Sequence, residues 1–333
     1  MRHTINMKNE RITLGHGSGA GLTQKLIRDV FNKNFKLPTL EDAVVIEGDM
    51  VVTTDAHVVR PLFFPGGDIG KLSITGTVND LSMKGAVPKY ILITYIIEEG
   101  FLISELKKIT ESVQKAAEES GVSVIAGDTK VVEKGKADGV YITTCGIGVL
   151  PDKIHLDART IKAGDKIIIN GSIGDHSVAV INSRENFKLT GIPESDCASL
   201  NKLVQKMLKA GKIKFMRDPT RGGVATVLNE VCADTDLGII IEESLLPVKK
   251  EVRIVCELLG FDPLYLANEG KLLAFVGQEA ESVLQAMKED PLGADSRIIG
   301  EVSAETNGVY LKTSIGGLRP LLLLDADQLP RIC

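Results

Sequence analysis

The sequence predicts an α/β (α+β) protein of two domains. Its 333 residues exceed the ~150 residues of a typical single domain. Short β-branched runs alternate with stretches of helical periodicity in both halves of the chain, as in α/β and α+β folds. We therefore expect an N-terminal segment over 1–40, an N-terminal domain over 41–152, a C-terminal domain over 153–315 and a tail over 316–333.

The first half of the chain predicts an N-terminal helix followed by a sheet domain. Residues 11–14 are expected to form a brief strand, and the apolar spacing of Leu22–Asn32 predicts a helix. Glu47-Gly48-Asp49 joins two β-rich runs, at 43–46 and 50–54, and predicts a hairpin. The other expected elements are a small-residue helix at 68–86, a buried strand at 90–97, a helical stripe from Leu102 that stops at Gly121, and strands at 122–126 and 140–149.

The second half predicts a further set of strands and helices and then an irregular tail. Strands are expected at 166–170, 272–276, 298–302 and 309–312, and helices at 200–209, 224–233, 252–259 and 283–288. The tail, 316–333, carries no helical signal.

Composition excludes several classes of function. Lys and Arg number 39 against 44 Asp and Glu, a net charge of -5, whereas nucleic acids and anionic membranes bind basic surfaces. Aromatic residues are only 4%, which argues against base stacking. We expect no signal peptide and no membrane span. The five cysteines lack the spacing of a zinc site or a disulfide framework, so reduced thiols and a cytoplasmic location are expected.

A glycine-rich loop at Gly15–Gly21 is the first candidate site. Glycine lets backbone N–H groups approach an anion closely. The loop is not a Walker A motif, because no Gly-Lys-Ser/Thr follows. It matches the dinucleotide fingerprint G-x-G-x-x-A only nominally, since no βαβ unit surrounds it. Nucleotide contact and a flexible linker are both consistent with this pattern.

Acidic residues in turn-like positions are the second candidate. Mg²⁺ prefers octahedral oxygen ligands, commonly carboxylates together with phosphate oxygens. Asp128 directly follows an apolar strand, where α/β folds often place ligand-binding side chains, and Lys130 is suited to neutralise a phosphate. Asp is also common in turns and caps, so the group is more persuasive than any single member. The set consists of Asp42, Asp55, Asp68, Asp80 and Asp128.

The second half adds three loops and a thiol. Residues 171–176, 218–223 and 268–271 follow strands or open helices, and 218–223 is a glycine-rich helix start suited to anions. Ordinary loop chemistry is the alternative. Cys333 ends the chain, where a thiol on a mobile tail can visit another protein's active site and then its own. A chance position is the alternative, and the other four cysteines are expected to be inert.

Together these motifs resemble the HypE family of hydrogenase maturation proteins, the carbamoyl dehydratases, over essentially the whole chain. This family lies within the superfamily of aminoimidazole ribonucleotide synthetases and selenophosphate synthetases. Ala20 departs from the family pattern, which often has another Gly, and we expect this to alter loop flexibility rather than function. The motifs are Gly15–Gly19, Thr54–Val59, Pro61–Lys71, Gly76–Leu81, Gly127–Lys130, Ile173–His176, Asp218–Gly223, Asn268–Lys271 and the family-specific terminus Pro330-Arg331-Ile332-Cys333.

The resemblance implies an aminoimidazole ribonucleotide synthetase-like fold and a homodimer formed through the N-terminal sheet. It places ATP and Mg²⁺ at the interface of the N-terminal domains and their flanking segments. It also implies the reaction. A separate carbamoyltransferase carbamoylates Cys333, and this chain then uses ATP to convert the S-carboxamide into an S-thiocyanate. The cyano group passes to iron on a separate scaffold complex, as a cyanide ligand of [NiFe] hydrogenase.

The resemblance also suggests roles for individual residues, which we carry forward as hypotheses. Cys333 is the acceptor, Glu269 the base, and Lys130 stabilises phosphoryl charge. Mg²⁺ is assigned to Asp42, Asp80 and Asp128. His57 is a secondary polar group, with a structural histidine as the alternative. ATP contacts are assigned to Gly17, Ser18, Gly19, Asp42, Asp55, Asn79, Asp80, Asp128 and Thr129, with the glycine-rich loop closing over the nucleotide.

Two other functions fit the same motifs. One is a related ATP-dependent small-molecule synthetase, but the N-terminal nucleophilic Cys typical of selenium enzymes is absent, since no Cys precedes Cys145. The other is a non-catalytic, ATP-regulated binding module whose tail only docks a partner. ATP hydrolysis that depends on a carbamoylated Cys333 separates catalysis from binding.

Overall fold

The structure is a computed structural model that describes residues 11–35, 41–235 and 237–333. In chain order the strands are β1 (Val44–Val45), β2 (Met50–His57), β3 (Phe63–Phe64), β4 (Gly67–Asp68), β5 (Val87–Glu98), β6 (Ser123–Val132), β7 (Val140–Val149), β8 (Lys166–Ile169), β9 (Ile213–Arg217), β10 (Gly238–Glu242), β11 (Leu273–Val276), β12 (Arg297–Ser303), β13 (Gly308–Lys312) and β14 (Leu318–Pro320). The α-helices are α1 (Gly21–Leu26), α2 (Asn32–Phe35), α3 (Ile69–Met83), α4 (Ile103–Ser120), α5 (Asp175–Arg184), α6 (Asn201–Ala210), α7 (Gly223–Thr235), α8 (Lys250–Leu259) and α9 (Ala280–Lys288).

The N-terminal domain is built on a five-stranded sheet with the order β1-β2-β7-β5-β6. All neighbouring strands are antiparallel except β5 and β6, which are parallel and are connected through α4. Helix α3 packs on β2 and β7, and α4 packs on α3. Among the described residues no helix packs on the opposite face of the sheet, and β6 is exposed over almost its whole length. This domain therefore buries its sheet on one face only.

Helix α3 is the most deeply buried helix of the N-terminal domain because its residues are small or apolar. Asp68 caps its first turn, and the Asp68 Oδ1 accepts hydrogen bonds from the amides of Gly70 and Lys71. A Cβ at Gly70 would lie 2.4 Å from the Ile109 carbonyl oxygen of α4. Only glycine allows the two helices to approach so closely. This packing sets the orientation of α3, whose C-terminal end carries Asp80.

The C-terminal domain is built on a seven-stranded mixed sheet with the order β14-β13-β10-β12-β8-β11-β9. Helices cover both of its faces. Ile168 packs with residues of α6 and α9, whereas Ile167 and Ile169 pack with residues of α7. Since successive side chains of a strand point to opposite faces, a strand covered on both faces reads as a continuous apolar run.

The tail leaves this sheet after β14 and returns to the N-terminal segment. Leu321 is fully buried, and Asn229 Nδ2 donates to its carbonyl oxygen at 2.9 Å. The amide of Gly21 then donates to the carbonyl of Leu324 at 2.9 Å. The first turn of α1 is thus hydrogen-bonded to the tail.

The tail ends at the junction between the domains. Leu329 and Ile332 are buried in a core cluster that joins residues of α3, α4 and β5 to residues of α5 and α8. The tail is therefore ordered by the apolar surface of both domains, although it has no helix of its own.

Most predicted elements are confirmed, and the exceptions have physical reasons. Residues 11–13 form no strand and Leu14–Gly17 form a 3₁₀ turn. The helix expected at 22–32 exists but is interrupted by a π-helical turn at Ile27–Phe31. The strand at 90–97 is covered on one face rather than two. The sequence interpretation missed short elements between loops: α5, β3, β4, β9, β10 and β14. The strand predicted at 122–126 continues to Val132, so Asp128 lies within β6 rather than after it.

The helices of the described ranges are all too short or too polar to cross a membrane. All five cysteines lie in those ranges and are free.

Candidate active site

Three carboxylates meet where the N-terminal domain packs against the C-terminal domain. Asp42 precedes β1, Asp80 lies near the end of α3, and Asp218 directly follows β9. One carboxylate oxygen from each lies within 4.8 Å of the other two. Because these residues are distant in sequence, the contact of α3 with β9 brings them together. We call Asp42, Asp80 and Asp218 the acidic cluster.

The acidic cluster is electrostatically unfavourable on its own. Burial raises the pKa of Asp80 well above its ordinary value, and the neighbouring charges of Asp218, Asp55 and Asp42 raise it further. Asp218 behaves in the same way, since burial is the main cause of its raised pKa and Asp42 adds to it. Burial raises the pKa of Asp42 as well, against the opposing charge of Arg217. The set therefore fits a divalent cation, which prefers clustered carboxylate oxygens and would relieve the repulsion.

Basic side chains lie beside the acidic cluster. Arg217 Nε is 3.1 Å from Asp42 Oδ1, and Arg217 Nη1 is 3.3 Å from Glu230 Oε2. Arg221 lies near Asp55, Asp80 and Asp218 and is exposed at the surface of the junction. A guanidinium with an exposed edge next to a cation site is suited to a phosphate.

The glycine-rich loop lies against Arg221. Gly19 has φ +80°, and a Cβ there would lie 2.4 Å from the Arg221 Cβ. Ser18 Oγ accepts a hydrogen bond from the Asp327 amide at 3.1 Å, and Gly17 faces open space. The loop thus lies beside Arg221 at the junction, and its contact with ATP stays a prediction. It also contacts the tail through Asp327, which the sequence did not predict.

Cys333 and Glu269 lie close enough at the same junction for their charges to interact. Glu269 is 3% exposed, and its Oε1 has no hydrogen-bond partner among the described residues. Burial raises its pKa well above the ordinary value, and Asp218 and Asp55 raise it further. Burial also raises the pKa of the Cys333 thiol, with Glu269 as the largest charge contribution. A buried carboxyl with a free oxygen beside the acceptor thiol is suited to proton transfer.

Asn79 fixes the position of Glu269. Its Nδ2 donates to the Glu269 carbonyl at 3.2 Å and to the Ala198 carbonyl at 3.0 Å. Its Oδ1 accepts from the Leu200 amide at 2.8 Å. The side chain joins α3 to two loops of the C-terminal domain. Its predicted contact with ATP stays a prediction, but its amide group is already committed to backbone partners.

Asp55 and His57 lie on β2 between the acidic cluster and the tail. His57 is 2% exposed, and burial lowers its pKa, so the neutral imidazole is favoured. Its Nε2 is 3.6 Å from Asp55 Oδ2, which is too long for a hydrogen bond. A Cβ at Gly76 would lie 3.2 Å from the His57 ring, so a glycine in α3 makes room for this pair.

The tail enters the site as an extended segment beside residues 58–60. The Val58 amide donates to the Cys333 carbonyl at 3.0 Å. His176 Nε2 is hydrogen-bonded to the Ile332 carbonyl at 2.8 Å, and its Nδ1 to Ser195 Oγ at 2.8 Å. The docked tail places its last residue inside the junction, a position that the sequence left undetermined.

The remaining predicted site residues lie on strand β6, outside this junction. They are Asp128, Thr129 and Lys130. Lys130 Nζ is 2.7 Å from Asp128 Oδ2, with the two side chains 66% and 57% exposed. The Thr129 amide donates to Asp128 Oδ1 at 2.8 Å. Hydrogen bonds from Lys130 and Thr129 lower the pKa of Asp128. A groove of about 370 Å³ lies beside them on the sheet face that carries no helix, between β2, β5, β6 and β7.

The acidic cluster differs in one member from the predicted metal set, whose assignment to Mg²⁺ stays a prediction. Within one chain Asp42 and Asp80 are joined by Asp218 rather than by Asp128, which is paired with Lys130. The sequence signal for Asp218 was the glycine-rich start of a helix at 218–223, which we interpreted as an anion site. Arg217 and Arg221 were missed because no spacing rule connects them to the acidic residues.

Comparisons with known proteins agree with this architecture. Residues 40–150 match the N-terminal domain model of the AIR synthase related proteins, and residues 162–312 match the C-terminal domain model. A carbamoyl dehydratase HypE from Rhizobium leguminosarum bv. viciae is 48% identical over 342 residues, which cover 100% of this chain and 98% of the relative. The chain belongs to the carbamoyl dehydratase HypE family.

Solved structures of HypE proteins have the same fold. One in a HypE–HypF complex is 46% identical, with a TM-score of 0.87, covering 90% of this chain and 99% of that one. One in complex with ATP is 41% identical, with a TM-score of 0.83, covering 97% and 100%. The chain is therefore an enzyme, a carbamoyl dehydratase of hydrogenase maturation, and the mixed α/β two-domain fold predicted from its sequence is confirmed.

Proposed function

We propose that the chain dehydrates its own Cys333 after that thiol has been carbamoylated, with ATP as the second substrate. The observation that carries this proposal is the docked tail. It places Cys333 next to Glu269 at the junction that also holds the acidic cluster and Arg221. The ATP complex of a HypE protein supports ATP as the nucleotide.

The phosphates of ATP would lie between Arg221, the glycine-rich loop and the acidic cluster. Asp42, Asp80 and Asp218 would hold Mg²⁺, because their buried and mutually repelling carboxylates fit a divalent cation. When bound, Mg²⁺ offsets the negative charge on the phosphate oxygens. Arg221 offsets further charge at the open side of the junction.

The difficult part of the reaction is the loss of oxygen from an amide. The carboxamide oxygen attacks the γ-phosphorus of ATP, the bond to ADP breaks, and one amide proton is lost to give an O-phosphorylated imidate. The second N–H proton is then removed, the carbon–oxygen bond breaks, and inorganic phosphate leaves. The carbon–nitrogen triple bond of the S-thiocyanate forms. The net result is loss of one water from the carboxamide and conversion of ATP to ADP and phosphate.

Glu269 is the residue best placed to take the N–H proton. Among the described residues its buried Oε1 has no hydrogen-bond partner, and its charge is close enough to raise the pKa of the Cys333 thiol. The raised pKa of Glu269 makes its carboxylate a stronger base than an exposed glutamate. His57, a buried imidazole beside Asp55 that burial keeps neutral, is a secondary polar group in this proposal and transfers no proton.

In a homodimer, residues of the exposed strand β6 of one subunit would complete the nucleotide site of the other. The sheet face that carries no helix and the open strand β6 present apolar residues to solvent, including Val124 and Val131 at 40% and 66% exposure. A second copy packed on this face would cover them. It would also bring Asp128, Thr129 and Lys130 to the edge of its partner's nucleotide, where Lys130 would stabilise phosphoryl charge.

Two further partners follow from the chemistry. The carbamoyl donor requires a separate carbamoyltransferase that can reach Cys333, and a solved HypE–HypF complex supports a protein partner of this kind. The cyano group needs an acceptor, for which we propose an iron-bearing scaffold complex. Use of ATP and of a free thiol supports a cytoplasmic setting.

Intact-mass measurement tests the proposal. The full chain is incubated with the carbamoyltransferase and carbamoyl phosphate, and ATP with Mg²⁺ is added in a second step. We expect the mass to gain one carbamoyl group and then lose one water, with one ADP formed for each water lost. ATP consumption with no loss of water would contradict the proposal.

A further inference from the structure

The end of the tail is hydrogen-bonded to side chains that the proposed chemistry does not use. Arg184, the last residue of α5, donates from Nη1 to the Pro330 carbonyl at 2.8 Å and from Nη2 to the Arg331 carbonyl. Its Nε donates to the Arg60 carbonyl at 2.8 Å. One guanidinium therefore joins the tail backbone to the segment on which the tail lies.

A second contact holds the side chain of Arg331. Arg331 Nη1 donates to Asp138 Oδ2 at 2.8 Å, and Nε donates to the Val58 carbonyl at 3.1 Å. Arg60 also pairs with Asp138. Asp138 thus pairs with both Arg60 and Arg331. Burial lowers the pKa of Arg184, and the charges of these two arginines lower it further. Without Asp138 these three cations would repel one another.

The backbone of Arg331 independently indicates that the docked tail is conformationally strained. Its φ is +54°, in the left-handed region that non-glycine residues avoid. A free tail has no reason to adopt this conformation. The hydrogen bonds of Arg184 and Asp138 must therefore offset its cost for as long as the tail is docked.

We propose that Arg184 and Asp138 form a clamp that positions Cys333 for dehydration and opens for its carbamoylation. This rests on the proposed function, in which a separate enzyme modifies the thiol. The Cys333 carbonyl is bound to Val58 and the residue packs on the interior core cluster, so the thiol must leave the junction to reach another active site. Arg184 and Asp138 are positioning residues, since they contact the tail and not the reacting atoms.

The clamp predicts opposite effects on two steps of one cycle. Loosening it raises the population of the undocked tail, which the carbamoyltransferase needs, and lowers the population of the docked tail, which dehydration needs. A merely structural role for these residues would slow both steps together. Hydrogen bonds to charged groups are strong enough that losing them shifts the docking equilibrium at least about tenfold.

The experiment measures the exposure of Cys333 and both reaction steps in the full chain. Alkylation by N-ethylmaleimide is followed by cleavage on the amino side of aspartate, which releases residues 327–333 for mass analysis. Buried Cys197 and Cys256 serve as internal references. The variants are Arg184→Gln, Asp138→Asn and the conservative Arg184→Lys, and the matched control is Arg159→Gln, since Arg159 is an exposed arginine paired with Asp157.

Faster alkylation of Cys333 by at least about tenfold is expected in Arg184→Gln and Asp138→Asn, with a smaller increase in Arg184→Lys and none in the control. The single-turnover dehydration of pre-carbamoylated protein should fall by a similar factor, while carbamoylation is equal or faster. Unchanged alkylation in both variants, or carbamoylation and dehydration falling together, would overturn the clamp. If alkylation accelerates but even the unaltered chain is never carbamoylated, the clamp stands and the proposed function fails.

Discussion

The two acidic regions of this molecule contain the same residue types in opposite physical states. In the acidic cluster three carboxylates are enclosed at a domain junction. Burial raises the pKa of each, and repulsion from other members of the cluster raises the pKa of Asp80 and Asp218 further. On β6, Asp128 is exposed and already neutralised by Lys130, which lowers its pKa. The charges of the acidic cluster are suited to be neutralised by a cation, whereas the charge of Asp128 is already neutralised by Lys130 of the same chain.

This difference teaches how the proposed nucleotide site is divided. In the proposed function a single chain supplies the cation site, the glycine-rich loop, the base and the acceptor thiol. The β6 residues contribute only when another surface covers the sheet face that carries no helix. The predictions below test each side of this division in turn.

Loss of the acceptor should have the largest effect. Cys333→Ser keeps the size and polarity of the side chain but removes the thiolate nucleophile. We expect no carbamoyl gain and no dehydration, while ATP binding by calorimetry is unchanged. Cys145→Ser is the matched control, and a carbamoyl adduct on the Cys333→Ser chain would exclude the tail as the carrier.

Loss of the base should slow dehydration about 10²–10⁴-fold. Glu269→Gln keeps the shape of the side chain and its backbone contact with Asn79, so carbamoylation and ATP binding should persist. In the unaltered chain the dehydration rate should rise with pH through a range above that of an ordinary glutamate, because burial raises the Glu269 pKa and only the carboxylate accepts a proton. The variant should lose this pH dependence. A normal thiocyanate yield from Glu269→Gln would remove it from the base role.

The enclosed and exposed carboxylates should respond to neutralisation in opposite ways. Asp218→Asn is expected to weaken Mg²⁺–ATP binding at least about tenfold and yet to raise the melting temperature of the ligand-free protein by roughly 2 °C or more, because it relieves repulsion among buried carboxylates. Asp128→Asn should leave that melting temperature unchanged. A lower ligand-free melting temperature for Asp218→Asn would show that the cluster is not strained.

Mixing two inactive variants should show whether the site is shared between subunits. If Lys130 acts on its partner's nucleotide, a mixed dimer of Asp218→Asn and Lys130→Ala chains holds one intact site and one doubly damaged site. Random mixing would then restore about a quarter of the normal turnover. Co-refolded or co-expressed chains provide the sample, and each variant alone is the control. Absence of any recovery, with mixed dimers present by native mass spectrometry, would place all site residues in one chain.

The smallest effect concerns the pH dependence of tail docking. Burial raises the pKa of Asp327 from 3.8 to about 6. Below pH 3.8 the Asp327 carboxyl is protonated in both the docked and the free tail, so its ionisation does not weaken docking. As the pH rises through about 6 the docked carboxyl must ionise in a buried place, and this contribution to docking is lost.

Alkylation of Cys333 should therefore accelerate a few-fold between about pH 5 and about pH 7.5, beyond the ordinary change in thiol reactivity. Asp327→Asn provides the correction, because its tail has no carboxyl to titrate at that position. Equal ratios of the two alkylation rates at every pH would show that Asp327 does not control docking.

Much of this protein was predictable from local sequence. The hairpin before β2, the helical stripe of α4 ending at the left-handed Gly121 and the continuous apolar runs of the strands are set by short-range rules of spacing and turn chemistry. The resemblance of the terminal Pro330–Cys333 segment and the glycine-rich loop to one family gave the enzyme class, which the comparisons confirm. Short elements such as α5, β9 and β10 were missed because their periodicity is too brief to stand out.

What the sequence alone determined is the set of chemical parts and the elements that carry them. Only the tertiary structure decided which parts meet. Asp128 and Asp218 both lie in glycine-containing motifs, and no local rule separates them. Yet Asp128 lies within β6 at an open sheet edge, whereas Asp218 follows β9, which ends against α3. The docked position of Cys333 was likewise decided by burial of Leu329 and Ile332 in a core shared by both domains. Local patterns fix secondary structure because they depend on neighbours in the chain, whereas a site depends on distances that only packing sets.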